Sequence, residues 1–252
     1  MPLMDLSIVI PTFNESHKIG RDIAAAGAFL AEQGWKGEII VADDGSRDGT
    51  IEAAKEQKEH LPGGVELRVM AFEHRGKGHA VRMGMQQTKG DYIMFADSGL
   101  CVPYRDALRG LEMIRSGQCE VAHGSRRLSQ TKIDRPQNWY RKICSRTFRW
   151  VAHRFMQIPA ELKDTQCGFK IYRGDAGRKI YEQCITDGFM FDVETILRAK
   201  KLGYRIAEFA IEWTCDRDSR ITPARDIGLI LGELTRIKKD IAANGGARPG
   251  LQ

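Results

Sequence analysis

Five short apolar runs, each followed by a stretch of helical periodicity, constrain this chain more than any other feature. The runs lie at about residues 6–10, 37–42, 65–72, 91–96 and 119–123, and the helical stretches between them at about 16–33, 49–60, 78–88 and 104–116. Alternation at this spacing builds βαβ units, in which successive strands lie parallel and the crossover helices cover both faces of the sheet. The predicted fold class is α/β, with a Rossmann-like, mostly parallel central sheet flanked by helices. At 252 residues, 42% hydrophobic and 29% charged, the chain suits one large domain with an appended tail and is too short for two equal ones.

After about residue 125 the character changes. Arg126, Arg127, Lys132, Arg135, Arg141, Lys142, Arg146, Arg149 and Arg154 fill the segment 126–158, and from Trp139 they alternate at helical spacing with Ile143, Phe148, Val151, Phe155 and Met156. This predicts a basic loop followed by a basic amphipathic helix. A second such helix, at about 224–243, sets Ile227, Ile230, Leu231, Leu234, Ile237 and Ile241 on one side and clusters Arg236, Lys238 and Lys239 near its end. Either stripe can face the protein core, with the cations complementing a helix C-terminus, or lie at a lipid boundary with the cations on anionic headgroups. Residues 244–252 read as a disordered tail.

The six Cys include no CxxC pair, which argues for reduced thiols and a cytosolic setting. Ser7–Ile10 is a strand-length run that stops at Pro11, unlike a signal peptide, and Ile227–Leu231 falls far short of the roughly 20 apolar residues of a spanning helix. The net charge of +6 is compatible with nucleic acid, anionic lipid or phosphorylated substrates.

In open α/β sheets ligands bind beyond the carboxyl ends of the strands, so the residues that follow each strand carry the functional reading. After the first, "PTFNES" places Pro11 where pairing should end and offers Asn14, Glu15 and Ser16 to cap a helix whose N-terminus can take an anion. After the second, "DDGSRDGT" delivers Asp43 and Asp44 together before Gly45. Two such acids suit a nucleobase N–H and a ribose hydroxyl, or else form an acidic turn with a cap at Asp48 or Thr50. After the third, "HRGKGHA" sets Lys77 between two glycines, where a cation and free amides could meet phosphate. GxxxxGK[ST] is absent and no GxGxxG follows the first strand, which argues against kinase-like and dehydrogenase readings. The fourth strand ends at Asp97, with Gly99 two residues on. The six His show no metal-ligand spacing.

"SIVIPTFNES", "VADDGSRDGT", "RGKGHAVRMGM", "FADSGLCVP", "GSR", "DTQCGFKIY", "GFMFDVETI" and "RIAEFAIEW" occur in that order. Over about residues 5–225 the chain thereby resembles the inverting GT-A fold glycosyltransferases that move a sugar from a nucleotide diphosphate to a polyprenyl phosphate. The dolichyl-phosphate β-glucosyltransferase branch is most similar, followed by dolichol-phosphate mannose synthases. The resemblance implies a domain at 1–225, with a nucleotide-binding half at 1–125 and an acceptor-binding half at 126–225, then a C-terminal amphipathic helix at 226–243. It implies donor contacts from Pro11, Thr12, Phe13, Glu15, Asp43, Asp44, Gly76, Lys77, Ala96, Asp97 and Ser98, and acceptor-phosphate contacts from Arg126, Arg135, Arg141 and Arg146. Arg220 would close on the diphosphate, and Asp164 and Asp192 would line the sugar pocket. Asp192 and Glu194, at i and i+2 of a helix, should point to different sides.

In that family the strand-end acid belongs to a DxD pair holding Mg²⁺ or Mn²⁺. Here Asp97 matches the first acid and Gly99 replaces the second. Mg²⁺ commonly takes one or two protein carboxylates beside substrate phosphates and water, so the resemblance implies Mg²⁺ or Mn²⁺ on Asp97 with weakened affinity. A phosphate acceptor, with a second pKa of about 6, is already ionised and needs no general base, only positive charge. The expectation is a peripheral enzyme at the cytoplasmic face of a membrane, using UDP-glucose or GDP-mannose. Recruitment by a membrane protein partner is left open. The alternatives are transfer to a sugar hydroxyl and a nucleotide-sugar-binding protein without catalysis. Nucleic acid is excluded because acids cluster at the ligand edge and no recognition motif is present.

Overall fold

"LSIVIPT" and "GEIIVAD" become strands β1 (Leu6–Thr12) and β2 (Gly37–Asp43), every residue of which is buried, as strands covered on both faces require. The computed structural model describes residues 4–135, 154–215 and 227–243. Strands β3 (Val65–Ala71), β4 (Tyr92–Ala96) and β5 (Val121–Ser125) follow the predicted runs. Helices α1 (Ser16–Glu32), α2 (Thr50–Glu56), α3 (Lys77–Gln86) and α4 (Ala107–Arg115) fill the predicted gaps, with 3₁₀ turns extending α2 and preceding α4. Beyond these come β6 (Lys132–Arg135), β7 (Phe169–Arg173), α5 (Gly174–Gln183), α6 (Phe191–Lys201), β8 (Ile206–Ala210), β9 (Glu212–Thr214) and α7 (Ile227–Ala243).

The main sheet runs β3-β2-β1-β4-β7-β5-β8. Only β7 is antiparallel to its neighbours, inserted between β4 and β5. Its "FKIYR" sends Phe169 and Ile171 to one face and Tyr172 to the other, so each core receives part of it. The first core holds Ile8, Ile10, Ile39 and Val41 under α1, and the second holds Val9, Ile40 and Ala42 under α3. β6 and β9 form a separate parallel pair beside the sheet.

Two expectations need correction. Pairing does not end at Pro11: β1 stays in register with β2 through Pro11 to Thr12, while its pairing with β4 stops at Val9. The basic loop after residue 125 contains β6, which pairs with β9. The helix predicted from Trp139 lies outside the described residues apart from its last turn. The apolar stripe of α7 faces protein: Leu234 and Ile237 are fully buried against Met190, Val193 and Ile196. Burying each is worth about 1.5–3 kcal/mol, which seats α7 on α6 rather than on lipid. Leu231 leaves that stripe and is 48% exposed, and Leu229 is 72% exposed. Arg198, itself buried, joins Glu194 on α6 to Asp240 on α7. No described helix is long and apolar enough to cross a membrane.

Candidate active site

The strand ends β1, β2 and β4 open onto one edge, where two loops lock together before any ligand is considered. Asn14 N–H donates to Ser46 Oγ at 2.8 Å and Asn14 Oδ1 accepts from the Arg47 amide at 2.8 Å, while Glu15 N–H donates to Thr50 Oγ1 at 2.8 Å. Asp48 accepts from the Ser16 amide at 3.1 Å and from the Thr50 amide at 3.1 Å. Burial is the largest single influence and opposes its charge, but the hydrogen bonds it accepts, led by that from the Thr50 hydroxyl, together hold its carboxyl at about 2. The anticipated anion at the α1 N-terminus is therefore supplied from within, by Asp48.

The strand-end pair Asp43 and Asp44 also turns inward. Asp43 is fully buried and accepts from Gly45 N–H at 3.0 Å, Ser46 N–H at 2.8 Å and Thr12 Oγ1 at 3.1 Å. Asp44 accepts from Arg75 N–H at 3.0 Å, Gly76 N–H at 2.9 Å and His74 Nδ1 at 2.7 Å. The acids thus build the β2–α2 turn and hold the β3–α3 loop, and the Gly76 amide expected to be open is engaged by Asp44. His74 stacks on Phe13 with centroids 4.2 Å apart and planes 13° apart, giving a half-exposed aromatic shelf that spacing arguments about histidine missed.

Gly76 and Gly78 serve backbone packing. Gly76 has φ +125°, and a Cβ there would lie 2.6 Å from Asp187 O; one on Gly78 would lie 2.6 Å from Gly188 O. The loop therefore sits flush on segment 186–188, which aims Lys77 across the edge. Its Nζ lies 2.6 Å from Asp97 Oδ1 and 5.9 Å from the centroids of Phe95 and Phe191. Burial works against the ammonium, but Asp97 and then Asp192 hold its pKa above the ordinary lysine value. Beside it, Lys170 Nζ contacts Asp192 Oδ1 and lies 3.2 Å from Thr165 O. Burial pushes the Asp192 carboxyl up, partly countered by Lys170 and Lys77. Glu194 points elsewhere, to the Ile185 and Thr186 amides, as the i, i+2 spacing required.

A third pair completes the row. Arg126 grips Asp164 through Nε and Nη2, both at 2.7 Å, and lies 5.5 Å above the Trp213 ring. Burial opposes charge on Asp164, yet the Arg126 guanidinium prevails and holds the carboxyl at about 2. Three ion pairs, Lys77–Asp97, Lys170–Asp192 and Arg126–Asp164, thus stand in this part of the fold. Of the other arginines expected at the acceptor phosphate, Arg135 lies on β6, while Arg141 and Arg146, like Arg220, lie outside the described residues. Ser98 donates to Glu15, and Ala96 and Pro11 are buried in the strand ends.

Asp22 is a further residue of the edge that the sequence reading passed over. It is buried on α1, accepts from Gly99 N–H at 2.6 Å, and its Oδ1 has no hydrogen-bond partner among the described residues. Burial lifts its carboxyl to about 6, against the opposing Gly99 hydrogen bond. Between about pH 4 and 6 the folded state binds more protons than the unfolded chain, so this group's contribution to stability falls as pH rises through that window and stays low above it. Asp22→Asn keeps an acceptor for Gly99 and should gain up to about 3 kcal/mol at pH 8, shrinking towards zero near pH 4. Urea unfolding at the two pH values checks this; an equal difference at both would refute it.

A divalent ion at this edge would draw on Asp97, whose carboxylate faces Lys77. Position 99 offers no second acid, and its φ of +95° is one that L residues rarely adopt. Among the described residues no cluster of three His, Cys, Asp or Glu side chains could hold a metal. Among the described residues, the Mg²⁺ or Mn²⁺ expected here would find Asp97 as its one carboxylate in this loop, with Lys77 Nζ already 2.6 Å from it.

Residues 7–181 match the family described as Glycosyl transferase family 2. The Drosophila melanogaster protein named dolichyl-phosphate beta-glucosyltransferase is 31% identical over 237 residues, spanning 88% of this chain and 71% of that one. Its namesake from Saccharomyces cerevisiae is 33% identical over 223 residues, spanning 82% of this chain and 66% of that one. Glucosyl-3-phosphoglycerate synthase from Mycobacterium tuberculosis, solved with Mn²⁺, UDP and glucosyl-3-phosphoglycerate, superposes with a TM-score of 0.66 at 16% identity, over 98% of this chain and 82% of that one. The match runs from β1 into α5 and takes in the Lys77–Asp97 and Arg126–Asp164 pairs and Lys170 of the third, and with it the chain belongs to glycosyl transferase family 2 and is a glycosyltransferase of the GT-A fold.

Proposed function

We propose that the protein transfers a hexose, glucose in the favoured case, from a nucleotide diphosphate donor to a polyprenyl phosphate, with inversion at the anomeric carbon. The names of its relatives support the acceptor class. One structural observation carries the chemistry: among the described residues, no carboxylate at the edge is both exposed and unpaired. Asp97, Asp192 and Asp164 each hold a cation, and Glu208 Oε2 is sealed from solvent. A carboxyl held at about 2, as Asp164 is, makes a poor proton acceptor. Such a site suits a nucleophile that arrives already ionised.

The acceptor phosphate oxygen forms the new bond to the anomeric carbon while the bond to the donor diphosphate breaks, its electron pair leaving on the nucleotide. Positive charge builds at the sugar and negative charge at the leaving oxygen. Lys77 faces that departing charge, and Arg126, held by Asp164, is the described cation for the acceptor side. Arg135, Arg141, Arg146 and Arg220 remain part of this reading. UDP-glucose is the favoured donor, with GDP-mannose the other candidate. The outward cations of α7, Arg236, Lys238 and Lys239, together with exposed Leu229 and Leu231, support peripheral association with the anionic cytoplasmic face of a membrane.

The test supplies radiolabelled UDP-glucose or GDP-mannose with dolichyl phosphate, a hydroxyl sugar acceptor, or neither. The expected outcome is lipid-extractable label bearing a β anomeric bond. The rate should rise with pH through about 6, as the phosphate loses its second proton, and then level. Label appearing only on the hydroxyl acceptor would refute the reading.

A further inference from the structure

Lys77 and Asp97 pair at the strand-end edge where the proposed donor diphosphate would bind. Its Nζ lies 2.6 Å from the carboxylate and its side chain is 26% exposed, so part of the ammonium faces the edge. Phe95 and Phe191 flank it at 5.9 Å each, a distance at which an aromatic face attracts a cation. The glycines on either side fix it from behind through contact with segment 186–188.

The absence of a second acid is built into the backbone. Gly99 has φ +95° and Leu100 φ +50°, and the Gly99 amide is pinned by Asp22 at 2.6 Å. An aspartate at 99 would have to adopt the left-handed region while holding that bond. Asp97 is fixed as tightly: its N–H donates to Gly168 O at 2.8 Å, and a Cβ on Gly168 would lie 2.1 Å from its carboxyl carbon. Removing one carboxylate together with one divalent ion changes the charge of such a site by a single negative unit. The donor diphosphate thus meets a resident monovalent cation in place of an imported divalent one.

We infer that Lys77 is the cation of the donor diphosphate site and that nucleoside diphosphate binding here does not depend on a divalent metal. This rests on the proposed donor class and concerns binding alone, so it can be tested without turnover. Calorimetric titration with UDP should give the same affinity in EDTA as in Mn²⁺, and Mn²⁺ alone should give no bound signal by electron paramagnetic resonance. Lys77→Met should weaken UDP by about 10- to 100-fold, the worth of one charge-assisted contact, and Lys77→Arg should recover most of it. A melting curve confirms that each variant is folded, and the wild-type comparison decides the matter even if Lys77→Met is not. UDP binding lost in EDTA and restored by Mn²⁺, or unchanged in folded Lys77→Met, overturns the inference and leaves the transferase reading standing. Failure of both UDP and GDP to bind under any condition overturns that reading, and the inference with it.

Discussion

Asp97→Asn should lower sugar transfer by about 10²- to 10³-fold while leaving the melting temperature nearly unchanged. The substitution keeps the side chain's shape and its place against Gly168, and removes the charge that aims Lys77 Nζ. An ammonium left between Phe95 and Phe191 without its anion stays positive but loses its direction. Misplacing a catalytic group by about 1 Å can cost about 100-fold in rate. The stability change should be small because the pair is partly open to solvent, with side chains 26% and 34% exposed, and such pairs contribute about 1 kcal/mol or less. Gly168→Ala should reproduce the loss from the opposite direction, since its methyl would occupy the space of the Asp97 carboxylate. Radiolabel transfer assays on both variants, alongside thermal melts, check this. Full activity in Asp97→Asn would remove the residue from the mechanism.

The same geometry explains which parts of the molecule could be read in advance. The β–α alternation of the first 125 residues was legible because each strand is a local apolar run and each helix a local periodicity. β7 was not, because a charged residue interrupts its run: Lys170 is fully buried only because Asp192, 22 positions later, neutralises it. A partner so far along the chain leaves no local trace. The inward bonding of Asp43 and Asp44 was hidden for the converse reason. Adjacent acids at a strand end look like ligands, yet a turn closing on Gly45 and Ser46 leaves amides that need acceptors, and these acids are the nearest available. Asp22 did leave a trace. It shares the buried side of α1 with Ile19, Ile23 and Ala26, and an acid within an apolar stripe marks a buried partner. Arg126 was legible as part of a basic segment but not as a paired residue, because it meets Asp164 only when β5 and the approach to β7 come together.

Lys170→Met should destabilise the fold by about 3–5 kcal/mol, the range for stranding one member of a buried ion pair. For a chain of this size that corresponds to a drop in melting temperature of roughly 6–20 °C. Methionine can fill the lysine stem's place between Phe95 and Phe191, so the loss comes from Asp192, 5% exposed and stripped of its principal counter-charge. Burial already pushes that carboxyl up, and without Lys170 it rises further. Protonation then limits the penalty at low pH, so the deficit should be larger at pH 8 than at pH 5. Lys170→Met with Asp192→Leu removes both charges and should recover most of the loss, because an apolar pair of similar volume avoids desolvating either ion. Denaturant unfolding of the two single variants and the double closes the cycle. Equal losses in the single and double variants would show that the pair is not coupled. If stability returns and transfer does not, the pair serves the reaction rather than the fold, as its place beside Lys77 leads one to expect: Asp192 is the second carboxylate that keeps the Lys77 ammonium charged.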